Sequence, residues 1–228
     1  MMPMENGKEN LILVNGFYTN SVILKGFIEF LNDHFRVHFI DLPGFCLDSP
    51  PLGRISFEGF AEHVRRRIEA LGLDHYILGG LSFGFAIANS LPPDGRCRGI
   101  MAIVPYLDKK SLALSRAKRR SYRLVTSLAA RSGLGPRVWK TRGVRRFAHW
   151  YSRYPAERVD IILDHMDART FFETGRLILK NGHRCAFHDL PYVLIANPAD
   201  GTVDFDYTVR RFRESVRRLL VVETAIDH

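Results

Sequence analysis

The sequence is poor in cysteine and contains no long apolar run. Its three cysteines, Cys46, Cys97 and Cys185, are widely spaced and form no CxxC pair. This pattern argues against a disulfide framework and against a zinc site, so we expect free thiols and no metal. No stretch approaches the roughly 18 uninterrupted apolar residues of a membrane span. Residues 1–10 are polar and lack the apolar core of a signal peptide, so we predict a soluble, cytoplasmic protein with no transmembrane segment.

The composition that remains is that of a folded domain. The chain has 228 residues, of which 46% are hydrophobic and 16 are phenylalanine. These numbers suffice for a sizeable core within one domain, with room for a small insertion, and they argue against global disorder. No internal repeat or low-complexity tract is present.

Positive charge is concentrated in one central segment. The formal net charge is +9, and residues 107–184 contain 19 Lys/Arg against 6 Asp/Glu. That segment therefore carries +13, and the rest of the chain carries −4. Two interpretations stay open: a solvated charged surface, or an electrostatic patch for an acidic partner such as an acyl carrier or an anionic lipid. No nucleic-acid-binding motif accompanies the charge, so nucleic acid is not expected as a partner.

Short apolar runs bounded by glycine or proline alternate with helical patterns. The clearest helix is expected over residues 56–71, with Ser56 as its N-cap and Gly72 at its end. Further helices are expected over residues 21–31 and 83–91. Strands are expected over residues 11–14, 35–40, 75–78, 99–104, 192–196 and 219–222. This alternation predicts an α/β fold with a mostly parallel sheet flanked by helices.

The alternation breaks after Pro105. About eighty residues of basic, helical character follow before the next strong strand pattern. We therefore predict a core formed by residues 1–106 and 185–228, and an inserted helical cap over residues 107–184.

Residues Gly80-Leu81-Ser82-Phe83-Gly84 form the pattern G-x-S-x-G. The pattern follows a predicted strand and opens a predicted helix, which is the context that places a nucleophilic serine on a sharp, strained turn. The two glycines leave room where side chains would collide with neighbouring elements. We predict that Ser82 is a nucleophile. The alternative is that Ser82 only caps the helix.

A serine hydroxyl needs a general base, and the base needs an orienting acid. In the strand–turn–helix context above, the order along the chain is serine, acid, histidine. Asp200 follows the predicted strand 192–196, and His228 is the only histidine after it. Asp204 and Asp206 are the fallback acids. The alternatives are that Asp200 only forms an Asp-Gly turn and that His228 is only a terminal residue.

Acyl transfer also needs two N–H donors for the negative oxygen of the tetrahedral intermediate. The expected donors are the backbone N–H of Phe83, which follows the nucleophile, and that of Phe17, where Gly16 permits close approach. This chemistry requires no cofactor. The aromatic side chains expected either to line an acyl pocket or to pack between cap helices are Trp139, Phe147, Trp150 and Tyr151.

Four segments resemble the α/β-hydrolase superfamily, in its branch of small, capped, cytosolic serine esterases and carbon–carbon bond hydrolases. They are LILVNGF (11–17), FIDLPGF (39–45), YILGGLSFGFAIA (76–88) and VLIANPADGTV (193–203). The final residues VVETAIDH resemble the strand and turn that lead to the family's histidine. Asn15 departs from the pattern, because relatives usually have histidine there. Relative to the family, we also expect the leading hairpin and the C-terminal closing helix to be missing.

The resemblance implies a serine hydrolase that cleaves a carboxylic ester or a related acyl bond through an acyl-enzyme on Ser82. Two alternatives remain. One is a thioesterase or carrier-linked ester hydrolase whose basic cap docks an acidic partner. The other is a weakly active or non-catalytic member of the fold that binds a small ligand.

Overall fold

Six short apolar runs form one parallel sheet in the computed structural model, which describes residues 7–152, 154–180 and 185–225. The strands are β1 (Asn10–Val14), β2 (Arg36–Ile40), β3 (Tyr76–Leu81), β4 (Cys97–Ile103), β5 (Tyr192–Ala196) and β6 (Leu219–Glu223). Their order across the sheet is β2-β1-β3-β4-β5-β6, and each neighbouring pair is parallel. The predicted α/β class is confirmed.

Helices connect the strands. They are α1 (Lys25–Asn32), α2 (Phe57–Leu71), α3 (Phe83–Ala88), α4 (Arg116–Ser132), α5 (Leu134–Val138), α6 (Arg142–Tyr151), α7 (Ala156–His165), α8 (Ala168–Lys180) and α9 (Phe205–Ser215). None of the helices in the described ranges is both long enough and apolar enough to cross a membrane.

Successive side chains of a strand point to opposite faces of the sheet, and both faces are buried at the central strands. In β1, Ile12 and Val14 pack with residues of α2, α3 and α9, among them Phe60 and Phe212. The intervening Leu11 and Leu13 belong to a second apolar cluster, on the side covered by α1. These four side chains are fully buried, so β1 is a rigid base for the loop that follows it.

The cap and stop of α2 are as the sequence predicts. The Ser56 hydroxyl accepts a hydrogen bond from the Gly59 N–H at 3.0 Å, and Gly72 ends the helix at φ 60°. The helix α1 starts later than predicted. The Asn20 side chain accepts from the Ile23 N–H, and the Asp41 carboxylate accepts from the Ser21 N–H, so residues 21–24 form turns instead.

Five helices, α4 to α8, lie between β4 and β5, in the segment predicted to form a cap. Trp139 is buried among them, with its ring centroid 4.5 Å from that of Phe171, and its indole N–H donates to the Leu163 carbonyl. It packs between helices, which was one of its two expected roles. Phe147, Trp150 and Tyr151 differ, because each is more than half exposed.

Candidate active site

The candidate site lies where the chain changes direction across the sheet. From β1 the chain moves to β2 on one side and then to β3 on the other, so the loops after β1 and β3 diverge at one edge. Parallel sheets bind ligands in such a crevice, outside the carboxyl ends of the strands. A Cβ placed on Gly16, after β1, would lie 3.4 Å from the Cβ of Ser82, after β3. The two predicted parts of the site are therefore in contact.

The turn at Ser82 is strained, as the G-x-S-x-G pattern requires. Ser82 has φ 45° and ψ −113°, a conformation that non-glycine residues rarely adopt. A Cβ on Gly80 would lie 2.5 Å from the Phe85 Cα, and a Cβ on Gly84 would lie 2.6 Å from the Val14 carbonyl oxygen. Both obstacles are backbone atoms. The close packing of α3 against β1 and β3 thus depends on these glycines.

Three backbone hydrogen bonds hold Ser82 in place. Its N–H donates to the Ile103 carbonyl at 2.9 Å, and its carbonyl accepts from the N–H groups of Phe85 and Tyr106 at 3.1 Å each. The side chain is half-buried and makes no capping hydrogen bond to α3. The capping alternative therefore has no support, and within the described residues the position of Ser82 is fixed by its backbone.

Backbone strain is concentrated around this turn. Apart from glycines, the described residues with positive φ are Tyr18 (65°), Ser82 (45°) and Val104 (41°). They follow the carboxyl ends of β1, β3 and β4, which are neighbours in the sheet. Strain of this kind costs on the order of 1–3 kcal/mol per residue and is typical of functional sites.

Asn15 fixes the loop that carries Phe17. Its buried side chain donates to the Thr19 carbonyl at 2.6 Å and accepts from the Leu42 N–H at 2.7 Å. The Thr19 hydroxyl in turn accepts from the Gly16 N–H at 2.8 Å. Asn15 thus gives this loop a fixed set of bonds at the position where the family usually has histidine.

The two predicted oxyanion donors are available for a ligand. Among the hydrogen bonds of the described residues, no acceptor pairs with the backbone N–H of Phe17 or with that of Phe83. Phe83 is the first residue of α3, where helical N–H groups have no partner within the helix. These two N–H groups belong to the two loops that meet at Gly16 and Ser82.

The predicted acid, Asp200, is buried directly after β5. Its Oδ1 accepts hydrogen bonds from the N–H groups of Thr202 and Val203 at 2.6 and 2.8 Å. Asp200 therefore does form the turn that one interpretation assigned to it, and the same bonds fix its carboxylate. The fallback Asp204 is exposed and caps α9 through the Tyr207 N–H, and Asp206 is also exposed. The predicted base, His228, lies outside the described residues.

An aromatic and cationic cluster borders the site, and the sequence analysis did not find it. The Tyr18 ring lies 6.3 Å from that of Tyr154, and the Arg158 guanidinium lies 4.1 Å from the Tyr154 centroid. Burial raises the pKa of Tyr18, and the neighbouring phenol of Tyr154 adds to this effect. Burial lowers the pKa of Arg158, whose Nε is buried without a hydrogen-bond partner. The i, i+4 spacing of Tyr154 and Arg158 was the available sequence signal.

Metal ligands do not converge in the part of the chain that the structure describes. No three His, Cys, Asp or Glu side chains there are placed to hold an ion. Cys46, Cys97 and Cys185 are all free thiols, as predicted.

Comparison with known proteins agrees with this geometry. A sequence profile of the alpha/beta hydrolase fold family matches residues 9–120, which include β1, the Ser82 turn and β4. Comparison with curated protein sequences gave no match.

Several solved structures share the fold over nearly the whole chain. A hydrolase from Pseudomonas aeruginosa PA01 has a TM-score of 0.69 at 19% identity, covering 97% of this chain and 83% of its own. An epoxide hydrolase from Bacillus megaterium has a TM-score of 0.67 at 16% identity, and the match covers 97% of this chain and 88% of that one. A thermophilic esterase from Thermogutta terrifontis has a TM-score of 0.64 at 19% identity, and the match covers 95% of this chain and 82% of that one. At these identities the likeness establishes the fold alone. The sheet order, the strained serine turn and these matches identify the chain as a protein of the α/β-hydrolase fold.

Proposed function

We propose that the protein is a serine hydrolase that cleaves a carboxylic ester or a related acyl bond, with Ser82 as the nucleophile. The observation that carries this proposal is the pairing of a strained, uncapped serine with two N–H groups, of Phe17 and Phe83, that have no acceptor among the described residues. Acyl transfer requires a nucleophile that attacks the carbonyl carbon and N–H donors that stabilise the negative charge on the carbonyl oxygen.

The proposed general base is His228, and the length of chain is sufficient for that role. In the sheet, β6 is three strands from β3, or roughly 14 Å at about 4.8 Å per strand. The Thr224 N–H still donates to the Ala196 carbonyl at 3.0 Å, beside the turn that holds Asp200. Four further residues can span up to about 14 Å. An imidazole on residue 228 can therefore reach both the Asp200 carboxylate and the Ser82 hydroxyl.

In the proposed reaction, His228 takes the Ser82 proton while the serine oxygen attacks the carbonyl carbon. The Phe17 and Phe83 amides stabilise the oxyanion, and Asp200 stabilises the imidazolium. The imidazolium then gives its proton to the leaving alcohol as the carbonyl re-forms, which leaves an acyl-enzyme. Water, deprotonated by the same histidine, hydrolyses that ester and regenerates the serine.

A second candidate is the hydrolysis of a thioester presented by an acidic acyl carrier. The observation that favours it is the net charge of +13 over residues 107–184. The chemistry at Ser82 is the same, except that the leaving group is a thiolate. A partner with clustered negative charge would associate faster with so basic a surface, and added salt would slow it.

The test is hydrolysis of a p-nitrophenyl ester series, from acetate to palmitate, alongside matched acyl thioesters. Ser82→Ala should reduce kcat by up to about 10⁶-fold, and Asp200→Ala by about 10⁴-fold. Ser121→Ala removes an exposed serine of α4 and serves as the matched control, with activity unchanged. Activity that survives in Ser82→Ala would refute the mechanism. Absence of activity on every substrate would favour the ligand-binding alternative.

A further inference from the structure

The outer face of α4 exposes apolar side chains. Leu124, Val125 and Leu128 have 61, 59 and 59% of their surface exposed. The inner side of the helix faces the site instead: a Cβ placed on Gly175 of α8 would lie 3.3 Å from the Thr126 methyl and 3.6 Å from the Phe17 ring. Packing within the chain therefore does not account for the outer apolar residues.

The helix α6 also exposes aromatic side chains, on the side away from its ion pairs. Phe147, Trp150 and Tyr151 are 59, 79 and 55% exposed, and the Phe147 and Tyr151 rings are stacked at 5.6 Å. The inner side of α6 is held by other residues, since Arg145 and His149 both pair with Asp160 of α7. A hydrogen bond between the Tyr151 and Tyr122 hydroxyls joins α6 to α4. We call these six exposed apolar residues of the two helices the α4–α6 face.

The segment that carries the α4–α6 face is rich in positive charge and contains no acidic residue. Residues 109–156 include fourteen Lys/Arg and no Asp or Glu. Within α4, α5 and α6, Arg145 is the one Lys or Arg with a carboxylate partner among the described residues. At i, i+4 and i, i+3 spacing, Arg120, Leu124, Leu128 and Arg131 form one stripe along α4. The apolar residues are thus flanked by cations that have no counter-charge of their own.

We propose that the α4–α6 face binds the surface of an anionic lipid bilayer. Leu, Phe and Trp side chains flanked by Lys and Arg on a helix face are the pattern that enters the boundary between headgroups and acyl chains. Anionic headgroups supply the missing counter-charge, at about a fivefold gain in binding per Lys or Arg. A soluble acidic protein would satisfy the cations but would leave six large apolar side chains against a polar surface. The membrane is therefore the better match.

This inference goes beyond the proposed hydrolysis and does not depend on it. Its link to function is positional, since Thr126 on the inner side of α4 and the Phe17 ring both border Gly175 of α8. A bilayer bound at the α4–α6 face would lie over the loop that carries one oxyanion donor, which would bring the site close to lipid-dissolved acyl substrates.

The first experiment is co-sedimentation with vesicles, which needs no activity. We expect binding to phosphatidylcholine vesicles with about 30% phosphatidylglycerol, weak binding to pure phosphatidylcholine, and weakening with salt. The double variant Arg120→Gln/Arg131→Gln should bind about 25-fold more weakly. The matched control Arg213→Gln/Arg217→Gln, at exposed sites on and after α9, should bind within twofold of wild type.

The apolar residues are tested separately. Leu124→Ser/Leu128→Ser should weaken retention at least about tenfold. Phe30→Ser removes an apolar side chain that is 57% exposed on α1 and should leave retention unchanged. Equal effects of the two changes would overturn the assignment of the face.

Tryptophan fluorescence then reports which surface meets the lipid. The chain has two tryptophans, Trp139 buried at 5% exposure and Trp150 exposed at 79%. Anionic vesicles should shift the emission to the blue, and Trp150→Phe should abolish the shift while binding persists. The proposal is overturned by equal binding to neutral and anionic vesicles, by binding without a Trp150 shift, or by retention of an acidic acyl carrier protein without vesicle binding.

Discussion

Gly84 has no space for a side chain, so its replacement by alanine tests the geometry of the serine turn quantitatively. The added Cβ would lie 2.6 Å from the Val14 carbonyl oxygen and 2.8 Å from the Asn15 carbonyl carbon. Ordinary contacts between such atoms are about 3.5 Å or longer, so α3 and the β1 backbone would have to move apart by roughly 1 Å. The obstacle is the backbone at the end of β1, where Leu11 to Val14 are fully buried. We expect Gly84→Ala to lower the free energy of unfolding by about 3 kcal/mol, at the upper end of the range for overpacked cores.

The assay is urea unfolding followed by circular dichroism, with thermal unfolding as a second measure. For a chain of this size, about 3 kcal/mol corresponds to a fall in Tm of about 6–12 °C. Gly143→Ala is the matched control, since a Cβ there meets nothing within 4 Å and the residue is inside α6. The free energy of unfolding of the control should rise by about 0.5–1 kcal/mol, because alanine has a higher helix propensity than glycine. If both variants unfold within about 0.5 kcal/mol of wild type, the reasoning about the turn is refuted.

Three further predictions follow from single side chains. Asn15→Ala leaves the Leu42 N–H and the Thr19 carbonyl unpaired. Urea unfolding should therefore show a free energy of unfolding lower by about 2–4 kcal/mol, and a decrease of less than about 1 kcal/mol would contradict this. Burial raises the pKa of Cys185 to about 12, so Ellman's reagent at pH 8 should leave this thiol unreacted in the native protein and titrate three thiols after unfolding. Burial raises the pKa of Asp41, so ionising this carboxyl costs more free energy in the native state than in the unfolded state. The free energy of unfolding of Asp41→Asn should therefore exceed that of wild type at pH 7 but not at pH 3. A difference that does not change with pH would show that ionisation of Asp41 is not the cause.

Features fixed by neighbouring residues were predictable from the sequence. The helix α2 is one example, because its Ser56 cap and its Gly72 stop depend on residues within one turn of each end. The Ser82 turn is another, since the spacing of Gly80 and Gly84 is part of the sequence pattern itself. At these positions the preference of each residue for a local conformation matches the conformation in the fold, so the sequence alone predicts it.

Features that depend on distant residues were not predictable. The strand β3 extends through Gly79 and Gly80, residues of low strand propensity, because β1 and β4 supply hydrogen bonds on both sides. The start of α1 depends on Asp41, twenty residues further along the chain.

Burial in the inserted helices was also not predictable. Of the large apolar side chains that the structure describes, Trp150 is the most exposed, because the inner side of α6 is occupied by ion pairs with α7. In the same way, the contact between Tyr18 and Tyr154 joins the loop after β1 to the inserted helices, and no sequence spacing marks it.

The proposed nucleophile is tested most directly by a fluorophosphonate probe, which forms a covalent bond with an activated serine and needs no knowledge of the substrate. Intact-mass and peptide analysis should show one adduct per chain, on the peptide that contains Ser82. Ser82→Ala should remain unlabelled, and Ser121→Ala should label like wild type. An unlabelled wild-type protein, or an adduct on a residue other than Ser82, would contradict the account.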